Sequence, residues 1–189
     1  MNLRFAYRGR LLLAALISSC LSLLACSPAL NWREVRPEGT RLSLLLPCKP
    51  DYAKKEVPLG GSPVLLSMAG CGAAGATFAV AFADLEDPAK VAPTLAQWQA
   101  LTLANMKAAP PSASGAPDRT RIETLKLPKA LPQPQPTRVF ARGQRADGSP
   151  VLGQAGYFAQ GTQVFQVVIY AKEIKPEAAD TFFSSLKLD

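Results

Sequence analysis

Short turn sequences between strand-like segments constrain the fold of this chain more than any other feature. The turn sequence Gly60-Gly61-Ser62-Pro63 separates two such segments, Ala53–Leu59 and Val64–Met68, and predicts a hairpin. Connections this short allow only antiparallel pairing, because a parallel crossover needs a dozen or more residues. The sequence therefore predicts an antiparallel sheet.

Further strand signals are spread along the chain. Ala76–Asp84 alternates cleanly, with Phe78, Val80 and Phe82 on one face and alanines on the other. We expect the preceding turn to span Gly70 to Gly75. The other predicted strands are Arg41–Leu46, Arg119–Leu127, Thr137–Arg145, Val151–Gln160 and Thr162–Tyr170.

Two segments have helical spacing. The first is Pro93–Lys107, and the second is Pro176–Leu186, with acidic residues early and Lys187 late. The first helix is expected to bury a stripe of Leu95, Trp98, Leu101, Thr102 and Met106, and the second to bury Ala179, Phe182, Phe183 and Leu186. We therefore predict the α+β class, as a single domain in which an antiparallel sheet packs against two main helices.

The N-terminus has the pattern of a secretory signal peptide. Arg4, Arg8 and Arg10 precede an apolar run, Leu11–Ala25, of 15 residues. A transmembrane helix needs about 20 apolar residues, so the run is short for a span and typical of a cleaved leader. We expect a signal peptide over 1–25, a tether over 26–40 and the α+β domain over 41–189.

The end of the apolar run, Leu23-Leu24-Ala25-Cys26, resembles the lipobox of bacterial lipoproteins. The resemblance implies cleavage after Ala25 and lipidation of Cys26, and three acyl chains would anchor the protein firmly. Ordinary signal cleavage near Ala25 to Ala29 and an uncleaved anchor helix are the alternatives. Ser27, where inner-membrane lipoproteins often have Asp, favours the outer membrane. The resemblance thus implies a periplasm-facing envelope protein with a membrane as partner.

Cysteine usage fits an exported protein. Of the four cysteines, Cys20 leaves with the leader and Cys26 would carry lipid, so Cys48 and Cys71 form an even pair. A disulfide is the natural interpretation in an oxidising compartment, with a metal pair or a redox pair as alternatives.

Composition excludes several function classes. The chain has no histidine, which rules out a Ser-His-Asp triad, a Cys-His pair and an H-E-x-x-H zinc site. The formal charge of +7 falls to +4 once the three arginines of the leader are removed. That charge does not indicate nucleic-acid binding. We expect no cofactor, no metal and no catalytic residue.

A second resemblance concerns the domain itself. The apolar strand before Pro47-Cys48-Lys49-Pro50, the hairpin, the helix and the terminal Phe182–Leu188 segment are similar to uncharacterised bacterial envelope proteins. Their domains look like the PsbP/Mog1 type. The resemblance implies a curved antiparallel sheet packed against helices, and it transfers no catalytic residue.

Candidate site residues are few. The main set is a basic patch that would face anionic lipid or a partner, or else be ordinary surface charge: Arg119, Arg121, Arg138, Arg142 and Arg145. A second set of residues indicates a polar sheet face that either binds a sugar or peptide or is simply exposed to solvent: Gln154, Tyr157, Gln160, Gln163, Gln166 and Tyr170. Asp84, Glu86 and Asp87 are either Ca²⁺ ligands or a solvated turn with Asp87 as a helix cap. Lys54 and Lys55 are interpreted as solvated edge charges, with the base of a Ser-Lys pair as the alternative.

These observations favour a lipid-anchored binding or accessory module for another envelope component. Such a module would meet its partner through a sheet face or through the proline-rich segment 128–136. The alternative is a periplasmic enzyme that uses carboxylates or a Ser-Lys pair, which would require titratable groups to converge in a cleft.

Overall fold

A computed structural model of the protein describes residues 29–110 and 120–189. These parts of the chain form ten strands and two α-helices. The strands are β1 (Arg33–Val35), β2 (Leu42–Leu46), β3 (Asp51–Leu59), β4 (Ser62–Ala73), β5 (Ala76–Asp84), β6 (Arg121–Thr124), β7 (Thr137–Gln144), β8 (Pro150–Gln160), β9 (Gln163–Ala171) and β10 (Lys187–Leu188). The helices are α1 (Val91–Asn105), which follows a 3-10 turn at Pro88–Lys90, and α2 (Pro176–Ser184).

Seven strands form one antiparallel sheet in the order β3-β4-β5-β9-β8-β7-β6. The predicted α+β class, with one domain and a sheet packed against two helices, is therefore confirmed. One turn was predicted too early. Gly70 and Gly72 lie inside β4, and the chain turns at Ala74 and Gly75, which both have positive φ. Glycine is needed at position 70 for close packing and not for a turn, because an added Cβ would lie 2.9 Å from that of Ala79 in β5.

The two faces of the large sheet carry different cores. On one face, Phe78 and Val80 of β5 and Phe165 of β9 pack beneath α2, whose Phe182 ring meets Phe78 edge-on at 5.5 Å. On the other face, small residues such as Ala81 and Ala83 lie beneath α1. Alternation along β5 assigns these faces as the sequence predicts.

Four of the five residues predicted for the buried stripe of α1 are buried: Leu95, Trp98, Thr102 and Met106. Leu101 is 41% exposed, whereas Leu103 is buried together with Thr94 and Val91. The helix begins two residues earlier than Pro93, and this extends the buried stripe towards its N-terminus.

A small second sheet, in the order β1-β2-β10, covers part of the α2 side. The folded part therefore begins before residue 41, because Arg33–Val35 pairs with Leu44–Leu46. Strand β10 was not predicted. Cys48, just after β2, forms a disulfide with Cys71 of β4, with Cα atoms 6.0 Å apart. The bridge joins the small sheet to the large one.

Within residues 29–110 and 120–189, no helix has the length and apolar character needed to span a bilayer.

Candidate binding surfaces

A groove of about 370 Å³ lies between the β1–β2 loop and the β3–β4 hairpin. Arg36 and Glu38 line it from the loop, and Tyr52, Lys54 and Phe82 line it from the sheet. Sequence reasoning missed this groove because it favoured Lys54 as a solvated edge charge. The available signal was Tyr52, a large side chain that alternation places on the same strand face as Lys54.

Strand register places the sheet side of the groove on one face. Lys54 pairs with Ser67, and Ser67 pairs in turn with Phe82. The small sheet and α2 cover only part of this face. Tyr52 is 69% exposed and Leu65 is 59% exposed as a result. The uncovered part is an apolar surface with polar groups along it, which is the composition typical of ligand sites.

The two cations on the groove rim, Arg36 and Lys54, differ in whether they form ion pairs. Arg36 bonds the carboxylates of Glu34 at 2.8 Å and Asp189 at 3.0 Å. These bonds raise the pKa of Arg36 above its ordinary value. Lys54 forms no ion pair within the described residues. The rim thus offers one ion-paired cation, Arg36, and one lysine without an ion pair among the described residues, Lys54.

The predicted basic patch divides into groups with different surroundings. Arg138 and Arg142 lie on one face of β7, as their spacing predicts, and Arg121 of β6 lies opposite Phe140 on that face. Arg145 is exposed in the β7–β8 turn. Arg119 lies outside the described residues, as do Cys26 and the predicted leader.

Arg138 is a half-buried packing residue. Its guanidinium lies over the rings of Phe140 at 4.9 Å and Phe183 at 3.9 Å, and it donates a hydrogen bond to Gln154 Oε1. Burial lowers the pKa of Arg138, and its Nε has no hydrogen-bond partner in the described part of the chain. Arg121 also lies over the Phe140 ring, with its guanidinium carbon 4.2 Å from the centroid, and it pairs with Glu123. Stacking and pairing therefore occupy these two cations.

The predicted polar sheet face is wrong for its central residues. Gln166 is 8% exposed and Tyr157 is 2% exposed, because α1 covers them. The Gln166 amide donates to Thr102 Oγ1 at 2.8 Å and to the Tyr157 hydroxyl at 3.0 Å. Thr102 in turn donates to the Trp98 carbonyl. This internal network fastens α1 to the sheet. Alternation alone cannot show that a helix covers a polar face.

The carboxylates of Asp84 and Asp87 accept hydrogen bonds from neighbouring residues and stabilise the turn after β5. Asp87 accepts a hydrogen bond from the Ala89 amide and caps the 3-10 turn, as predicted. Asp84 accepts from the Thr162 hydroxyl and from the Glu86 amide, and these bonds lower its pKa. Among the residues that the structure covers, no group of three or more acidic or cysteine side chains is arranged to hold a metal ion.

Comparisons with known proteins leave the family open. No protein-family profile matches the chain, and no curated protein matches it. Among solved structures, the chain is similar to a crystal structure of a protein of unknown function from Pseudomonas aeruginosa. The identity is 12%, the TM-score is 0.34, and the match covers 74% of this chain and 82% of the other.

Proposed function

We propose that this protein is a lipoprotein of the bacterial envelope, anchored through Cys26, whose domain binds another envelope component in the groove beside Tyr52. Such an anchor would hold the domain on the periplasmic side, and Ser27 after the lipidated cysteine favours the outer membrane. Two features support the anchor: the lipobox-like sequence Leu23-Leu24-Ala25-Cys26 and the Cys48–Cys71 disulfide. Disulfides persist in exported proteins and are rare in the cytosol.

The groove is the observation that supports the binding role. Its volume of about 370 Å³ lies within the range of known ligand sites. Its floor includes the partly buried Phe82, and its wall includes the exposed Tyr52. The exposed tyrosine offers a large contact area with few rotatable bonds, which is characteristic of residues that dominate interfaces.

The anchor is tested by the intact mass of the protein purified from membranes of its native host. We expect a chain that begins at Cys26 with added acyl mass, and two alkylatable thiols that appear only after reduction. A chain that begins after residue 26 without lipid would contradict the anchor. A chain that begins at Met1 would contradict cleavage itself.

The binding role is tested by photocrosslinking in intact cells. A photoreactive phenylalanine analogue at Tyr52 should produce a discrete crosslinked species that mass spectrometry can identify. The same analogue at Ile122, which is 39% exposed on the opposite edge strand, is the matched control. Equal crosslinking from both positions would contradict the groove as the contact.

One observation favours the enzymatic alternative. Lys54 and Ser67 are cross-strand partners on the same face, and both line the groove. A lysine beside a serine can act as the base that activates the hydroxyl as a nucleophile. Labelling of the wild-type protein by a fluorophosphonate, lost in Ser67→Ala and Lys54→Met, would establish the enzyme. Absence of labelling at high reagent concentration would favour the binding role.

A further inference from the structure

We propose that one end of the large sheet lies against the bilayer and contacts anionic lipid headgroups through five cationic side chains. The inference rests on the proposed anchor at Cys26. It goes beyond that anchor because it fixes which surface of the domain meets the membrane, and which lipid chemistry that surface prefers.

The first argument is the shortness of the tether. The domain holds the chain from Leu30 onwards: Leu30 lies beside Ile169 and Ile174, and the Asn31 amide donates to the Pro47 carbonyl at 2.8 Å. The Trp32 ring then packs on Phe78, with centroids 6.0 Å apart. Four residue steps separate Cys26 from Leu30, and a fully extended chain spans at most about 14 Å in four steps. A lipid at Cys26 would therefore keep this end of the domain at the headgroups.

The second argument is that several loops lie at the same end of the large sheet as Leu30. The register aligns Ala76 with Ala171, Ala171 with Leu152, and Leu152 with Arg142. The β4–β5 turn, the β7–β8 turn and the segment between β9 and α2 therefore lie side by side. The end of α1 joins them, because the Met106 carbonyl accepts a hydrogen bond from the Gln144 amide. We call this group of loops the anchor-end surface.

The third argument is the charge of the anchor-end surface. Its five cations are all exposed, and none forms an ion pair within the described parts of the chain: Lys107, Arg142, Arg145, Lys172 and Lys175. The acidic residues there are Asp147, Glu173 and Glu177. Asp147 is already engaged, since it accepts hydrogen bonds from the amide and hydroxyl of Ser149.

Free cations held this close to a membrane interact with anionic headgroups. The attraction acts within about one Debye length of the surface, roughly 8 Å at physiological salt. The short tether makes that proximity accessible, because it confines this end of the domain to within about 14 Å of the lipidated residue. A domain on a long linker would not be confined there, so the tether and the charges act together.

The test is amine footprinting of the full-length mature lipoprotein in vesicles. Acylation rates are compared, residue by residue, between phosphatidylglycerol-containing vesicles and purely zwitterionic ones. We expect Lys107, Lys172 and Lys175 to be acylated at least threefold more slowly in the anionic vesicles. The control lysines lie at the opposite end of the sheet and should not change: Lys90, Lys129 and Lys187. Adding about 0.5 M salt should remove the difference.

Charge-reversal variants at the two ends of the sheet, together with vesicle flotation, distinguish failure of the anchor from failure of the proposed orientation. The triple variant Arg142→Glu, Arg145→Glu, Lys172→Glu should lose the protection of Lys107 and Lys175. The control, Lys90→Glu, Lys129→Glu, Lys187→Glu, changes net charge equally and should retain it. Protein that fails to float with vesicles would contradict the anchor itself. Protein that floats, yet shows equal acylation at both ends, would overturn only the orientation proposed here.

Discussion

The guanidinium carbon of Arg138 lies 3.9 Å from the centroid of the Phe183 ring, and this contact joins β7 to α2. A cation that is partly removed from water and held over an aromatic face is attracted by the ring quadrupole. Its aliphatic stem also covers apolar surface. One of the residues predicted to form a basic patch therefore has a structural role.

We predict that Arg138→Ala lowers the free energy of unfolding by about 1–2 kcal/mol, since it removes two ring contacts and a hydrogen bond. Arg142→Ala, on the same strand face but exposed, should change it by less than about 0.5 kcal/mol. Chemical denaturation of both variants checks the difference. Equal losses would show that Arg138 does not hold α2 to the sheet.

Reduction of the Cys48–Cys71 bridge should destabilise the domain by about 3 kcal/mol, on the chain-entropy model for a loop of this length. The denaturation midpoint is measured with and without reductant. The double variant Cys48→Ser, Cys71→Ser should be less stable than the oxidised wild type, and its midpoint should not respond to reductant. A wild-type midpoint that is insensitive to reductant would contradict this prediction.

Tyr157→Phe should cost about 1 kcal/mol, because it removes one acceptor of the buried Gln166 amide. Tyr170→Phe is the control, since the Tyr170 hydroxyl has no hydrogen-bond partner among the described residues. We also expect faster amide hydrogen exchange in α1 of Tyr157→Phe, because the Gln166 network joins this helix to the sheet. A larger loss of stability from Tyr170→Phe than from Tyr157→Phe would contradict a stabilising role for the hydrogen bond between Gln166 and Tyr157.

Stability should fall at alkaline pH. Burial raises the pKa of both Tyr157 and Tyr170 above the ordinary value of 10.0. The unfolded chain thus releases these protons first, and their contribution to stability is complete below pH 10 and is lost as pH rises beyond it. Urea midpoints from pH 8 to 11 measure the slope. A Tyr157→Phe, Tyr170→Phe double variant should show a shallower decline, and an equal decline would assign the effect to other groups.

Gly143 should tolerate no side chain. A Cβ there would overlap the backbone carbonyl of Met106, the residue directly after α1. We expect Gly143→Ala to cost about 1–3 kcal/mol, the usual range for an overpacked site. Gly72→Ala is the matched control, because the nearest atom to its Cβ would be 3.9 Å away. Comparable thermal midpoints for the two variants would contradict a close contact at Gly143.

Much of the fold followed from local patterns. Alternation identified β5 at its observed limits, and the turn at Gly60 and Gly61 identified the first hairpin. The buried face of α2 was also correct. These elements were predictable because their periodicity reflects which side is buried, and that information is local to each segment.

The remaining features depend on contacts between distant segments. Nothing near β2 indicates that Lys187–Leu188 pairs with it. Nothing in the sequence of β9 indicates that α1 covers Gln166. The sequence pattern therefore does not distinguish this buried glutamine from an exposed one. The groove also escaped prediction, because its walls come from the β1–β2 loop and from three strands of the large sheet. A surface assembled from separate segments has only a partial signature in each of them, as Tyr52 shows for β3.

The position of β2 between β1 and β10 has a consequence for the order of folding. Loop closure over a long separation is slow, and β2 at Leu42–Leu46 must wait for residues 187 and 188 to complete its sheet. Strands β3 to β5 pair through short turns, so they can form before that long-range closure. The layer over Phe78 and Phe165 is then completed last, and the partly folded chain exposes these aromatic side chains until the C-terminal residues pair.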